Sequence, residues 1–157
     1  MITEQNGVFH IRTETYSYLF KIDAYGVPEH IHFGAPVQTE DAEALSCRPG
    51  LGWGCNVLLE EGKLDSCMDA LALEWSGSGR GDYRESPMEL QGRSVDFRYA
   101  GFRILEGSVP MTCGLPQAHG APETLEVTLK HPDFPQCQLR WPPTALFARQ
   151  RPNRVRG

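Results

Sequence analysis

Short stretches of alternating apolar and polar residues, separated by frequent turn residues, restrict the fold of this chain more than any other feature. Residues 8–12 and 16–23 alternate at a period near two and are separated by three polar residues, a pattern that predicts a β-hairpin. The chain has 16 glycines and 12 prolines among 157 residues, which opposes long helices and favours many turns. An all-β fold is therefore expected.

Further segments continue this pattern along the chain. After a turn at Tyr25 and Gly26, residues 27–34 are predicted to form a third strand with Ile31 and Phe33 facing inward. Seven or eight short strands with turns between them are typical of a β-sandwich. The remaining predicted strands are 88–90, 94–99, 102–105, 124–129 and 137–141.

Between the third strand and the later strands the sequence has no sustained period. Residues 35–63 are predicted to form a long loop with a glycine-rich run around Trp53, and loops of that length are usually functional or disordered. One or two helical turns are expected only over 65–73. A Pro-Pro pair follows residue 141, and residues 142–157, which begin with this pair, hold four arginines and no acid. The expected organisation is thus a sandwich portion over 1–141 and an unstructured basic tail.

Composition excludes several classes of function. A net charge of −5 and a sequence pI near 5.5 oppose binding to nucleic acid, which requires clustered lysine and arginine. No apolar run approaches the roughly 20 residues of a membrane span, and the first residues do not resemble a signal peptide, so a cytoplasmic protein is expected. The five cysteines include no C-x-x-C pair and are interpreted as reduced thiols. No metal or other cofactor is expected.

Two strand features carry a functional and a structural interpretation. His30 and His32 are two residues apart, so on a strand both rings would lie on one face and could chelate a metal. Without further ligands nearby, exposed strand histidines are the preferred interpretation. In 124–129, alternation predicts that the apolar residues face inward and that Glu126 lies in water.

The stretch 73–89 combines glycine, charge and aromatic residues. Its three glycines permit a sharp bend that presents Asp82, Tyr83 and Arg84 together. These side chains are candidates for contact with substrate or with a neighbouring subunit. The structural alternative, in which the carboxylate and the guanidinium fix their own turn by charge-assisted hydrogen bonds, is the preferred one.

A series of motifs runs in a fixed order along the chain and covers most of residues 9–141. Its members are F-H-I-R (9–12), S-Y-L-F-K-I (17–22), H-I-H-F-G (30–34), L-D-x-x-x-D-A-L-A-L-E-W (64–75), G-R-G-D-Y-R-E (79–85), G-R-S-V-D-F-R-Y (92–99), G-L-P (114–116) and E-T-L-E-V-T-L (123–129). The G-x-G-D-Y-R bend and the pair formed by G-L-P and E-T-L-E-V-T-L are the most specific members. Taken together, the series resembles the N-terminal domain of glycoside hydrolase family 36, the bacterial α-galactosidases.

This resemblance implies a β-sandwich, incomplete in this chain, that precedes a (β/α)₈ catalytic barrel. The whole enzyme would be a retaining hydrolase of terminal α-galactosides such as melibiose and raffinose. Its two catalytic aspartates belong to barrel motifs that no segment here resembles, so the chain is expected to be inactive alone. In tetrameric members a loop of this domain narrows the neighbouring subunit's sugar pocket, and by position that loop falls within 35–63. Trp53 is a candidate for stacking on a pyranose there.

A second interpretation belongs to a different class of function. In it the chain is a free-standing carbohydrate-binding or assembly module, with Trp53, Trp75 and Tyr83 forming an aromatic platform for a galactoside. The first interpretation expects weak or absent sugar affinity in the isolated chain. The second expects measurable galactose binding.

Overall fold

In the computed structural model the regular structure of the described residues is mainly antiparallel strand, with little helix. The 3-10 turn Thr39–Asp41 leads into the short helix α1, Ala42–Leu45. The strands are β1 Ile2–Gln5, β2 Val8–Arg12, β3 Ser17–Ile22, β4 Pro28–Gly34, β5 Glu89–Leu90, β6 Arg93–Ser94, β7 Arg98–Glu106, β8 Glu123–Lys130 and β9 Gln138–Trp141. The structure describes residues 1–46, 58–63, 66–68, 71–75, 89–90, 92–110, 120–134 and 137–141.

The first sheet is an antiparallel meander in the order β1-β2-β3-β4. The predicted hairpin of β2 and β3 is confirmed, whereas β1 was not predicted. Asn6 and Gly7 join β1 to β2, and their φ angles of 52° and 81° are those that a two-residue hairpin turn requires. This first hairpin places Ile2 opposite Ile11.

Residues 71–75 continue the first sheet beyond β4. The amide of His30 donates to the Ala72 carbonyl at 2.6 Å, and the amide of Glu74 donates to the Pro28 carbonyl at 3.1 Å. Glu29 lies opposite Leu73 in this pairing. The helix expected over 65–73 is therefore wrong at its C-terminal end, because these backbone groups bond across to β4.

The second sheet has the order β7-β8-β9, and β5 and β6 form a separate small hairpin. The strand expected at 94–99 is divided in the structure, because residue 94 ends β6, residues 95–97 belong to no strand, and residues 98–99 begin β7. β7 then continues through a β-bulge between Tyr99 and Gly101 and includes the strand expected at 102–105.

The two sheets pack face to face and enclose the main core, so the fold is the all-β sandwich that the sequence predicts. Phe9 of β2 and Phe20 of β3 stack with ring centroids 4.7 Å apart, and both side chains are fully buried. The inward residues of β8 are buried as predicted. The core residues are Ile2, Phe9, Ile11, Tyr18, Phe20, Val95, Phe97, Leu125, Val127 and Leu129.

A second β-bulge, between Leu19 and Phe20, corrects the expected facing of β4. His30 pairs with Phe20 whereas His32 pairs with Leu19, and these partners face opposite sides of the sheet. The two histidine rings therefore lie on opposite faces, and the expectation of a shared face was wrong. Ile31 is buried, but on the outer face of the sheet, beside Leu19, and not in the core between the sheets as expected.

Phe33 was also expected to face inward, but its side chain is 58% exposed. It lies beside the rings of Tyr16 and Tyr18, with centroids 5.9 Å and 6.4 Å away. The alternation of β4 thus places an apolar side chain where the described residues leave it open to solvent.

The outer face of the first sheet is covered by the segment that follows β4. Leu19 and Ile31 of the sheet pack against Ala42 of α1, with the partly buried Val37 and Leu45 around them. The first residues of the predicted loop over 35–63 therefore form a turn and a short helix that pack on the sheet. A further small cluster joins Val27, Met68 and Leu71 beside the β3–β4 turn.

Candidate functional site

The four side chains proposed as contacts, Trp53, Asp82, Tyr83 and Arg84, lie outside the described residues. The described residues next to the loop segment are 46 and 58, and those next to the glycine bend are 75 and 89.

The flanks of the loop contact the β3–β4 hairpin. Lys21 Nζ of β3 donates to Ser46 Oγ at 2.9 Å, at the last described residue before the loop segment. On the other side Leu58 pairs with Cys67, and Tyr25 Oη donates to Glu60 at 2.6 Å. Both ends of the segment 47–57 are thus held at one end of the first sheet.

A buried ion pair lies beneath these contacts. Lys21 Nζ is 3.5 Å from Glu29 Oε2, and the Glu29 side chain is only 1% exposed. Because Glu29 also stands opposite Leu73, the pair lies between the start of the loop and the 71–75 segment. An ionised carboxylate in such a position requires a charged or hydrogen-bonding partner, and Lys21 supplies the charge.

Glu74 fixes the segment that leads into the glycine bend. Its carboxylate accepts a hydrogen bond from His30 Nδ1 at 2.6 Å and another from the Tyr18 hydroxyl. Burial, and then the neighbouring Glu74 carboxylate, raise the pKa of Tyr18, so that the phenol remains protonated and continues to donate. Two side chains of the sheet thereby orient the backbone immediately before residue 76.

Aromatic packing joins the residue before the glycine bend to the start of the second half of the chain. The Trp75 ring meets the Phe97 ring edge-to-face, with centroids 6.4 Å apart and planes at 89°. Trp75 precedes the bend, while Phe97 follows the hairpin that comes after it. The Trp75 side chain is partly buried and packs against the main core.

The turn between β3 and β4 joins the two sheets. Asp23 Oδ1 accepts the amides of Tyr25 and Val27, each at 2.8 Å, and burial raises the pKa of this carboxyl. The Gly26 carbonyl accepts the Tyr99 amide of β7 at 2.9 Å. Arg98 Nη1 also donates to the Tyr25 carbonyl at 2.9 Å. The second sheet therefore begins against the same hairpin that holds the loop.

A serine and a histidine that meet outside this site have a structural role. His10 Nε2 lies 2.9 Å from Ser17 Oγ, a separation that a nucleophile and its general base would have. Ser17 is completely buried, and its oxygen accepts the Val37 amide at 3.2 Å. A substrate cannot reach this hydroxyl, so the pair serves to hold the covering segment.

Metal binding is not indicated in the described part of the chain, where no three His, Cys, Asp or Glu side chains are grouped closely enough to hold an ion. Nor do the described residues contain a helix with the length and apolar character of a membrane span.

The sequence interpretation missed Lys21, Glu29, Glu74 and the His10 network. A signal for part of this was present, because Val8 and Leu19 are apolar although they lie on the face that alternation assigns to solvent. That pattern indicates a second covering layer on the first sheet. The burial of His10 follows from that layer.

Known proteins resemble this chain in sequence. The family model described as the glycosyl hydrolase family 36 N-terminal domain matches residues 26–140. Alpha-galactosidase 1 of Pediococcus pentosaceus is 30% identical over 134 residues, which is 82% of this chain and 18% of that protein.

Two solved structures share the fold. The galactosidase domain of the alpha-galactosidase-sucrose kinase AgaSK superimposes with a TM-score of 0.71 at 21% identity, covering 89% of this chain and 20% of that one. A variant of the α-galactosidase AgaA from Geobacillus stearothermophilus, in complex with raffinose, gives a TM-score of 0.63 at 26% identity, covering 79% of this chain and 18% of that one. This chain thus spans about a fifth of the length of each of these relatives.

Proposed function

The chain belongs to the family of glycosyl hydrolase family 36 N-terminal domains, and on this premise we propose that it is the non-catalytic β-sandwich portion of an α-galactosidase-like retaining hydrolase. In this role it supports a catalytic barrel and contributes to oligomer assembly. Two observations carry the proposal. Residues 26–140 match this N-terminal domain, and the α-galactosidase relative is about five times longer than this chain.

Apolar residues on the inner face of β7 support a docking role. Phe102 and Ile104 are 39% and 40% exposed, although their cross-strand partners Val127 and Leu125 are fully buried. Uncovered apolar positions that continue a core mark a surface for another part of the protein. We assign this surface, together with the exposed Phe33, to the polypeptide that completes the enzyme.

The chemistry of the described carboxylates supports a non-catalytic role. A retaining glycosidase needs two carboxyl groups about 5 Å apart that flank the sugar, one as nucleophile and one as acid and base. Glu29 is paired with Lys21, Asp96 lies 2.8 Å from the Arg98 guanidinium, and Glu74 accepts bonds from His30 and Tyr18. Hydrolysis is therefore assigned to the catalytic portion.

The proposed substrates are terminal α-galactosides, in keeping with the raffinose bound to the AgaA variant. In this proposal the loop 35–63 and the glycine bend reach the sugar pocket or a neighbouring subunit. Trp53 would stack on the sugar, while Asp82, Tyr83 and Arg84 would contact the substrate or the adjacent subunit. The common anchorage of both segments at the β3–β4 hairpin supports a shared task. The free thiols of Cys67 and Cys137 fit the proposed cytoplasmic location.

Complementation in trans tests the proposal. The 157-residue chain is co-expressed with Alpha-galactosidase 1 from which the matched N-terminal stretch has been removed, and hydrolysis of a nitrophenyl α-galactoside is measured. We expect no hydrolysis by either part alone and restored soluble activity from the pair. Turnover by the 157-residue chain alone would contradict the assignment of catalysis.

Variants of the docking surface sharpen this test. The double substitution Phe102→Ser and Ile104→Ser removes the uncovered apolar strip and is expected to abolish complementation. Val109→Ser is the matched control, because Val109 is equally exposed at 41% but lies beyond the end of β7. In parallel, galactose is titrated against the tryptophan fluorescence of the isolated chain. Saturable quenching there, without complementation, would favour the free-standing carbohydrate module instead.

A further inference from the structure

The histidine beneath the covering segment is bonded at both ring nitrogens. His10 is 3% exposed, its Nδ1 lies 2.8 Å from Thr39 Oγ1, and its Nε2 lies 2.9 Å from Ser17 Oγ. Ser17 belongs to β3, whereas Thr39 opens the 3-10 turn. The ring therefore bridges the first sheet to the segment 37–46, which continues into the loop at residue 47.

The directions of these bonds follow from Ser17. Its oxygen already accepts the Val37 amide at 3.2 Å, and its hydroxyl proton is completely buried and needs an acceptor. His10 Nε2 is a ring nitrogen at the right distance, so the hydroxyl donates to it. A neutral imidazole that accepts at Nε2 carries its proton at Nδ1, and this N–H donates to Thr39 Oγ1.

We propose that His10 is an acid-responsive latch, which holds residues 37–46 on the first sheet while the imidazole is neutral and releases them when it is protonated. This inference does not depend on the proposed enzyme. It is carried by the geometry at Ser17, because a protonated ring must donate at Nε2. The Ser17 hydroxyl then loses its acceptor inside the protein, which is costly for a buried donor.

The charged groups around the ring have opposing effects on the pKa of His10. Arg12 on β2, His32 on β4 and the N-terminal amine before β1 disfavour a cationic imidazole, while Glu40 of the 3-10 turn favours one. Burial is the largest influence, and the pKa of His10 is lowered from 6.5. The net environment therefore favours the neutral ring, in agreement with its hydrogen bonds.

The sign of the pH dependence follows by linkage. With a lowered pKa in the folded state, His10 binds its proton more weakly there than in the released or unfolded chain. The latch is fully stabilising above the ordinary histidine pKa of 6.5 and weakens as the pH falls toward the lower pKa of the folded state. Between the two pKa values, the equilibrium constant for release rises about tenfold for each unit by which the pH falls.

Nuclear magnetic resonance of the full 157-residue chain provides the test. Side-chain ¹⁵N shifts of His10 identify the tautomer, and amide exchange of Val37, corrected for its intrinsic rate, reports the bond to Ser17. We expect the Nδ1–H tautomer, a His10 midpoint below 6.5, and a Val37 protection factor that falls about tenfold per pH unit through the range between the two pKa values.

A pair of variants distinguishes a pH-dependent role of His10 from a purely structural one. His10→Gln retains a side-chain oxygen for the Ser17 hydroxyl but cannot titrate, so Val37 protection should lose its dependence on pH in this range. His131→Gln is the control, since His131 is a buried histidine that accepts the Asp133 amide in the turn after β8. It should leave the Val37 profile unchanged.

Three outcomes would overturn the latch. One is a neutral His10 protonated at Nε2, and another is flat Val37 protection while His10 titrates. The third is a pH dependence of Val37 that survives in His10→Gln. If that variant fails to fold, Thr39→Val supplies the second measurement, because it removes only the Nδ1 bond and should lower Val37 protection at neutral pH. Unchanged protection in Thr39→Val would count against the latch.

Discussion

The two sheets of this sandwich differ in how completely the described chain covers them. The first sheet is covered on both sides, by the second sheet on its inner face and by the segment 37–45 on its outer face, apart from the exposed Phe33 of β4. The second sheet is buried only along its central strand, β8, while β7 leaves Phe102 and Ile104 partly open. Strands with the same alternation thus acquire different surroundings, because burial depends on what packs over each face of the sheet.

The largest expected contrast is between two phenylalanines that touch the same ring. Phe20 stacks on Phe9 and is fully buried, whereas Phe102 meets Phe9 edge-to-face at 5.0 Å and is 39% exposed. Phe20→Ala should lower the free energy of unfolding by about 3–5 kcal/mol, as for a fully buried aromatic. Phe102→Ala should cost well under half of that amount. Urea denaturation of both variants measures the difference, and equal losses would show that β7 is as well covered as β3.

The next contrast concerns one lysine in each sheet. Lys21 forms an ion pair with the buried Glu29, so Lys21→Met removes a cation 3.5 Å from that carboxylate and should cost about 3 kcal/mol. Lys130→Met, at the exposed end of β8, is the matched control and should change stability little. The two midpoints of urea unfolding decide the matter. A Lys21→Met protein as stable as its control would mean that Glu29 is held by its other contacts alone.

A smaller effect is expected at the turn that joins the sheets. Asp23→Ala removes the acceptor of the Tyr25 and Val27 amides and should cost about 1–2 kcal/mol. Asp23→Asn retains an acceptor oxygen and should cost less. Because Gly26 and Tyr25 of this turn bond to β7, we also expect faster exchange of the Tyr99 amide in Asp23→Ala. Unchanged Tyr99 exchange would show that the sheets are coupled elsewhere.

The smallest effect is expected on the solvent face of the second sheet. Glu126 was expected to lie in water, but its carboxylate accepts two bonds from Arg103, at 2.6 Å and 3.1 Å. These bonds lower the pKa of Glu126, so their contribution is present above the unfolded pKa and is lost as the pH falls through the folded one. Glu126→Gln should shift the urea midpoint only slightly, and less at high salt. A large shift would show that this face is shielded from solvent.

Sequence reasoning succeeded where a strand's own alternation decides the structure. β2, β3 and β8 were predicted, as were the inward residues of β8, because side chains two residues apart share a face. β1 was missed because its four residues are too few to show a period. The short helix α1 was missed for the same reason, since one turn gives no helical repeat.

The anchors of the candidate site were beyond sequence reasoning for a different cause. Glu74 meets His30 across 44 positions of the chain, and Lys21 meets Ser46 across 25. Contacts of this kind arise from the pairing of segments, which a single sequence does not encode locally. The site residues Trp53, Asp82, Tyr83 and Arg84 remain predictions.

The sequence by itself determined that this chain is a β-sandwich and that its motifs belong to family 36, because alternation and motif order are properties of consecutive residues. Only the tertiary structure decided which polar side chains are buried. His10 is enclosed because the 37–45 segment folds over it, and His30 parts from His32 because a bulge shifts the register of β4. Burial and register depend on what lies opposite a residue, and that is fixed when distant segments of the chain meet.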